Sequence, residues 1–234
     1  ALSSELLREL ARTMREVDTD DNVDVVILTG SDPAFCAGLD LKELGDSGGN
    51  LGAENRRGPE ARGAMRGPFP FLDKPLIGAI NGVAVTGGFE LALNCDFLVA
   101  SERAKFGDTH SRVGVMPGWG LTVLLPRAIG VRRAREMSFT GNFLNAEEAL
   151  QWGLVNHVVD HAELLPFSRR LARDIIGNEQ QGVRQIRRTY DEISHDDAGW
   201  DIEARDNQAW QRDMFSRENV AERRAAIIDR GRTQ

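Results

Sequence analysis

The sequence predicts an α/β protein in which strands and helices alternate along the chain. Short apolar segments rich in β-branched residues occur at 23–30, 75–80 and 95–100, which is the pattern of buried strands. Between and after them, apolar residues recur at helical spacing. From 161 onward the sequence is helical and highly charged. Alternation of this kind is typical of stacked β-α units with parallel strand pairing.

Size and composition narrow the class of protein. The 234 residues, 41% of them hydrophobic, are enough to bury the core of one α/β domain. A net charge of −7 argues against non-specific nucleic-acid binding but leaves room for an anionic ligand at a local basic patch. No apolar run reaches the ~20 residues that span a bilayer, and no signal peptide opens the chain. We therefore expect a cytoplasmic protein with no membrane partner.

The cysteines and histidines do not indicate a metal site. Cys36 and Cys95 are the only cysteines, and their spacing is not that of a metal motif, so we expect free thiols. The four histidines show no zinc-binding pattern; they are His110, His157, His161 and His195.

The first part of the chain predicts a helix, a strand and a second helix in that order. The helix covers 2–17, with Ser3 or Ser4 as its cap, and the strand covers 23–30. A short helix begins near Asp40. The segment 45–67 is rich in Gly, Asn and Arg and predicts a mobile loop followed by a helix at 60–66. Its arginines lie either on a solvated face or against a phosphate; they are Arg56, Arg57, Arg62 and Arg66.

The later elements follow from the same patterns. A brief strand is predicted at 105–107, and the polar, glycine-rich segment 108–120 reads as a loop. Helices are predicted at 121–129, 131–139 and 146–152, followed by a strand at 154–159. Two amphipathic stripes lie beyond 161. Large apolar residues on the last helices pack either in the core or on a neighbour or ligand; they are Trp200, Trp210, Met214 and Phe215.

The segment from Asn81 to Leu93 joins a buried strand to a buried helix through a glycine pair, Gly87-Gly88. With Thr86 as a candidate N-cap, the free amides and the positive end of the helix dipole point the same way. Such a junction suits an oxygen that becomes anionic during a reaction. Glu90 follows three residues after Gly87 on the same helix face. The alternative is an ordinary glycine turn whose glutamate pairs with an arginine.

A second strand-to-helix junction lies near Gly38. Small residues and this glycine follow the strand at 23–30, and the amide of Leu39 is then a free donor before the short helix. The two junctions together predict two main-chain donors.

Four motifs, in order, resemble the crotonase (enoyl-CoA hydratase/isomerase) superfamily. They are Phe35-Cys-Ala-Gly-Leu-Asp-Leu-Lys42, Asn81-Gly-Val-Ala-Val-Thr-Gly-Gly-Phe-Glu-Leu-Ala92, Gly114-Val-Met-Pro-Gly118, and 146–155 ending in Ala-Leu-Gln-Trp-Gly-Leu-Val. The resemblance covers nearly the whole chain.

This resemblance implies a crotonase spiral of ββα units at 1–160 and a helical region at 161–234 that drives homotrimers or hexamers. It also implies that strands preceding the first helix are absent from the sequence. The implied ligand is an acyl-CoA thioester, with coenzyme A as part of the substrate and no separate cofactor.

The resemblance assigns the thioester oxygen to the amides of Leu39 and Gly87, and the first catalytic carboxylate to Glu90. The second glutamate of hydratases falls on His110, which can act as acid or base near neutral pH. The alternative is that His110 is structural, or that Arg112 pairs with Glu90 or Asp108. The implied substrate-binding residues are Ala37, Gly38, Asp40, Leu41, Gly88, Pro117, Gly118 and Phe215, with Arg230 or Arg232 as a basic partner.

Two departures from the family pattern bear on the reaction. Thr86 replaces the first glycine of the usual triplet, and Gly118 stands where dienoyl isomerases and a dehalogenase carry an aspartate. The first hypothesis is hydration of a trans-2-enoyl-CoA. The alternatives are another enolate reaction (isomerisation, hydrolysis or decarboxylation) and a non-catalytic acyl-CoA-binding protein.

Overall fold

The computed structural model describes residues 1–46, 67–193, 197–215 and 217. Within these ranges the chain forms two four-stranded sheets surrounded by helices. The first sheet has the order β1-β3-β5-β8, and every neighbouring pair in it is parallel. Its strands are β1 (Val26–Thr29), β3 (Leu76–Ile80), β5 (Phe97–Ser101) and β8 (His157–Val159).

The second sheet has the order β2-β4-β6-β7. Its strands are β2 (Ala34–Cys36), β4 (Val83–Val85), β6 (Lys105–Gly107) and β7 (Phe143–Asn145). The expectation of parallel pairing is wrong for β6 and β7, which run antiparallel. Strands β2, β4 and β7 were not predicted from the sequence, because their short segments show no side-chain pattern of their own.

In chain order, β1 to β6 alternate between the two sheets, and a helix follows each of these three pairs. Strand β7 stays in the second sheet beside β6, and β8 returns to the first. This arrangement confirms the ββα spiral that the resemblance implied. The helices are α1 (Ser4–Thr19), α2 (Leu41–Asp46), α3 (Gly87–Leu93), α4 (His110–Val113), α5 (Leu121–Ile129), α6 (Val131–Thr140), α7 (Ala146–Trp152), a 3-10 turn (His161–Glu163), α8 (Leu164–Ile176), α9 (Gln180–Ile193) and α10 (Asp197–Asp213).

Several predicted elements are confirmed. The helices at 121–129 and 146–152 have the predicted bounds, and Ser3 caps α1 by accepting a hydrogen bond from the amide of Leu6. The segment 108–120 is not wholly a loop, because it contains α4. One turn of helix is too short to show a 3.6-residue period.

The core explains how these elements are held. Phe89 of α3 and Phe106 of β6 are fully buried with ring centroids 5.7 Å apart, and they fix α3 against the second sheet. On the outer face of the first sheet, Leu164 and Ala172 of α8 pack on Ile77 and other strand residues. The burial of this much apolar surface is the main force that positions α3.

Some expectations lie outside the described residues. These are the helix at 60–66, the arginines of that segment, Arg230 and Arg232. In the ranges that are described, no helix combines the length and apolarity needed to cross a membrane.

Candidate active site

The first predicted junction joins β4 to α3 at Thr86. Thr86 occupies the N-cap position, and its carbonyl accepts hydrogen bonds from the amides of Phe89 and Glu90. Its hydroxyl makes no capping bond; it lies 3.4 Å from the hydroxyl of Thr109. Thr86 has φ +50°, a conformation in which a β-branched residue is strained.

The two predicted junctions are packed directly against each other. A Cβ placed on Gly88 would lie 2.2 Å from the carbonyl oxygen of Cys36, and one on Gly38 would lie 2.3 Å from the hydroxyl of Thr86. Only glycine permits such an approach of backbone to backbone. The segments that carry Leu39 and Gly87 are therefore packed closely together.

The amide of Leu39 points away from the strand-like bridge that Leu39 makes with Leu2. In this bridge Leu2 N–H donates to Gly38 O at 2.7 Å, and Asp40 N–H donates to Leu2 O at 3.0 Å. The bridge thus uses the amide after Leu39 and the carbonyl before it, since groups on successive residues of an extended chain face opposite sides. Leu2 also packs against Gly87, where its Cδ1 is 3.2 Å from the position of a built Cβ.

Glu90 is a buried carboxylate held by main-chain amides. Its Oε1 accepts hydrogen bonds from Trp119 N at 2.7 Å, Gly118 N at 3.2 Å and Leu121 N at 3.4 Å. Its Oε2 lies 3.4 Å from Nε2 of His110. Charge-assisted bonds to one oxygen fix the rotamer and leave the other oxygen directed at the histidine.

His110 lies between two carboxylates at the start of α4. Its Nδ1 is 2.7 Å from Asp108 Oδ1, and its backbone amide donates to the same oxygen at 3.2 Å. Burial disfavours the charged ring, but the hydrogen bonds and charges of Asp108 and Glu90 outweigh it and raise the pKa of His110 to about 10. Burial also works against the charge of Asp108, yet its bonds to His110 lower the pKa of that carboxyl. At neutral pH the ring is an imidazolium.

The structure gives both carboxylates His110 as their charged partner. Arg112 donates to Thr140 O and Asn142 Oδ1, each at 3.3 Å, and lies over the ring of Phe143. These contacts of Arg112 do not include the pairing with Glu90 or Asp108 that was left open in the sequence.

Most of the remaining predicted residues lie near the start of α2 or in the turn after α4. Ala37 is exposed beside buried Gly38, and Asp40 caps α2 by accepting bonds from the amides of Lys42 and Glu43. Phe215 packs with Leu41, Leu44, Val113 and Val115. Pro117 and Gly118 lie in the turn whose amides hold Glu90.

Two acidic residues at the site were given no role there from the sequence: Asp108 was named only as a possible partner of Arg112, and Glu203 was not named. Asp108 could have been found, because an aspartate two residues before a helix-starting histidine is placed to bond both its ring and its amide. Glu203 of α10 could not. It accepts a hydrogen bond from Gly120 N at 2.6 Å across 83 positions of sequence, and no local pattern encodes that contact.

A cavity of about 840 Å³ lies apart from these groups. It is lined mainly by the segment 69–72, the ends of α3 and α8, and α9. Neither Glu90 nor His110 lines it. Phe71 and Pro75 are among the residues that line it. The assignment of the catalytic groups therefore depends on hydrogen-bond geometry and not on cavity size.

Comparisons with known proteins agree on one family. A family model described as enoyl-CoA hydratase/isomerase matches residues 1–231. The chain is 44% identical over 187 residues to "Probable enoyl-CoA hydratase 1, peroxisomal" of Arabidopsis thaliana, covering 80% of this chain and 68% of that one. It is 39% identical over 186 residues to the crotonyl-CoA hydratase of Syntrophomonas wolfei, covering 79% and 70%.

Solved structures show the same similarity. The crystal structure of an enoyl-CoA hydratase from Mycobacterium tuberculosis superimposes with a TM-score of 0.79 at 47% identity, covering 90% of this chain and 87% of that one. A monofunctional enoyl-CoA isomerase from Mycobacterium smegmatis superimposes with a TM-score of 0.66 at 29% identity, covering 86% of each chain.

Proposed function

The chain belongs to the enoyl-CoA hydratase/isomerase family, and from that premise we propose that it adds water to a trans-2-enoyl-CoA to form a 3-hydroxyacyl-CoA. The observation that carries this proposal is the buried contact of 3.4 Å between Glu90 Oε2 and His110 Nε2. It supplies a proton acceptor and a proton donor side by side, which are the two groups that hydration requires.

The thioester oxygen is bound by the amides of Leu39 and Gly87. Support comes from the close packing of the two junctions and from the direction of the Leu39 amide, which the bridge to Leu2 leaves unused. Each donor aimed at the developing enolate oxygen contributes roughly 3 kcal/mol of transition-state stabilisation. These donors belong to the backbone, so they do not depend on the side chains that choose the reaction.

Glu90 acts as the base and His110 as the acid. The Glu90 carboxylate takes a proton from water while the water oxygen bonds to the β-carbon, and the C=C electron pair moves toward the thioester oxygen. The imidazolium of His110 then gives its Nε2 proton to the α-carbon as the enolate collapses. One H and one OH are added in total, and the net charge of the pair is unchanged.

The same contact resets the site after turnover. The reaction leaves Glu90 protonated and His110 neutral, and a proton passing from Oε2 to Nε2 restores both groups without bulk solvent. Asp108, on Nδ1, keeps that ring proton in place and stabilises the returning imidazolium.

The substrate-binding residues and the assembly complete the proposal. The acyl-CoA contacts Ala37, Gly38, Asp40, Leu41, Gly88, Pro117, Gly118 and Phe215. A homotrimer, or a hexamer of two trimers, is supported by apolar side chains that a single chain leaves exposed. On α9 these are Ile186, Tyr190 and Ile193, one stripe at helical spacing.

Isomerisation is the second candidate. The direct contact between Glu90 and His110 is also suited to moving one proton between two carbons of a 3-enoyl-CoA, a reaction that consumes no water. The chain's 29% identity to an enoyl-CoA isomerase supports keeping this candidate.

The test measures the absorbance of the conjugated enoyl thioester. With crotonyl-CoA, hydration removes the absorbance; with a 3-enoyl-CoA, isomerisation creates it. Wild type, Glu90→Gln and His110→Ala are compared, and each variant is expected to lose at least about 100-fold in kcat. An unchanged rate in both variants would remove the site assignment. Tight binding of CoA esters with no turnover would instead support a binding protein.

A further inference from the structure

A buried carboxylate from the last described helix reaches the turn that holds Glu90. Glu203 of α10 is 4% exposed. Its Oε1 accepts a hydrogen bond from Gly120 N at 2.6 Å, and its Oε2 accepts from Thr122 N at 2.8 Å and from the hydroxyl of Thr122. Both carboxylate oxygens therefore accept hydrogen bonds from main-chain amides at the start of α5.

The same face of α10 makes further bonds to the segment 114–120. Asn207 Nδ2 donates to Met116 O at 2.7 Å and to Pro117 O at 2.9 Å, and Trp210 Nε1 donates to Gly114 O at 2.8 Å. Trp200 packs on Gly120, where a built Cβ would lie 2.1 Å from its ring. Positions 200, 203, 207 and 210 share one helix face.

Glu203 and Glu90 bind interleaved amides of one turn. Gly118, Trp119 and Leu121 donate to Glu90, while Gly120 and Thr122 donate to Glu203. Because these amides belong to one continuous backbone, the orientation of each set constrains the other.

We propose that Glu203 is a positioning residue for Glu90: it orients the turn at 118–122 so that three amides converge on Glu90 Oε1 and Oε2 remains directed at His110. Its catalytic consequence rests on the proposed hydration, whereas its effect on the turn does not. The last helix thereby determines the geometry of a base located in the spiral core.

The charge of Glu203, which lies on the same turn as Glu90, provides a second variant that tests the positioning role. Burial and the charge of Glu90 raise the pKa of Glu203, although its bonds to Thr122 and Gly120 oppose the shift. Two buried carboxylates on one turn repel each other. Glu203→Gln removes that repulsion and keeps an acceptor oxygen, so it serves as the second variant where Glu203→Ala folds poorly.

The kinetic test is a double-mutant cycle on crotonyl-CoA. Glu203→Ala is expected to lower kcat about 10- to 100-fold with KM changed less than about twofold, because Glu90 is misplaced while substrate contacts remain. The kcat of Glu203→Gln falls between the values of Glu203→Ala and wild type.

In a Glu90→Gln background, Glu203→Ala has no further effect on kcat. Asp206→Asn, an exposed charge removal on the same helix, leaves kcat unchanged. An equal loss in both backgrounds overturns the proposal.

A second test needs no activity. Amide hydrogen exchange at Trp119, relative to Val99 in the core strand β5, is expected to accelerate at least about tenfold in Glu203→Ala and not in Asp206→Asn. Unchanged relative exchange overturns the positioning role. If wild type hydrates no trans-2-enoyl-CoA, the proposed function fails, and this measurement alone decides the role of Glu203.

Discussion

His110 Nε2 lies 3.4 Å from Glu90 Oε2, and both side chains are buried. His110 reaches this position because Asp108 holds its other ring nitrogen at 2.7 Å, while Glu90 is directed at it by the amides of the turn at 118–121. A single imidazolium is therefore the shared charged partner of two buried carboxylates. Its removal should affect both catalysis and stability.

Replacing His110 by glutamate tests whether the histidine takes the place of the second hydratase glutamate. His110→Gln is expected to lower kcat on crotonyl-CoA by about 100-fold or more, because amide nitrogen cannot donate a proton to carbon. His110→Glu should retain more activity than His110→Gln near neutral pH. His157→Gln, on an exposed histidine of β8, is the matched control and should leave kcat unchanged. Equally low rates in the Gln and Glu variants would show that glutamate does not replace the histidine, and a wild-type rate in His110→Gln would show that no acid is needed at this position.

As pH rises from 6.5 to 10, the loss of the His110 proton should lower the free energy of unfolding. The pKa of His110 is about 10 in the folded chain, against ~6.5 for an unfolded histidine. The stabilisation is fully present below pH 6.5, where both states bind the proton, and is lost as pH rises toward 10. Urea unfolding at pH 7 and pH 9.5 should show a larger decrease in wild type than in His110→Gln. Parallel decreases in the two proteins would contradict the raised pKa.

At position 86 the glycine variant should be more stable than the alanine variant, which reverses the usual order of stability. Its φ of +50° strains any residue with a Cβ by about 1–3 kcal/mol. The unfolding free energy of Thr86→Gly is therefore expected to exceed that of Thr86→Ala by about 1 kcal/mol. At Thr189, exposed within helix α9, the alanine variant should be the more stable by about 1 kcal/mol. If the alanine variant is the more stable one at both positions, the backbone at Thr86 is not strained.

Gly88 should tolerate no side chain. The Cβ of Gly88→Ala would meet the carbonyl oxygen of Cys36 at 2.2 Å, and because that atom is backbone the two junctions must separate. We expect a loss of about 1–3 kcal/mol in unfolding free energy, together with a lower kcat as the Leu39 and Gly87 amides move apart. Gly45→Ala in α2, where a Cβ meets nothing within 4 Å, is the control. A stable Gly88→Ala with full activity would remove the argument that packed junctions position the two donors.

Several features were predictable because their signals are local. The bounds of α5 and α7 follow from about two turns of periodicity ending at a glycine. The two candidate donors follow from glycines at strand-to-helix junctions, and Glu90 and His110 follow from motif positions. Strands β2, β4 and β7 were missed because they are held by neighbours and not by their own side-chain pattern.

The sequence by itself determined the family, the alternation of strands and helices, and the residue types available for catalysis, because each is written in motifs a few residues long. Only the tertiary structure decided that successive strands enter two sheets, that Glu90 and His110 touch, and that Glu203 joins the same turn from 83 positions away. Contacts between distant residues depend on how buried faces pack, and packing is a property of the whole core that no short segment contains.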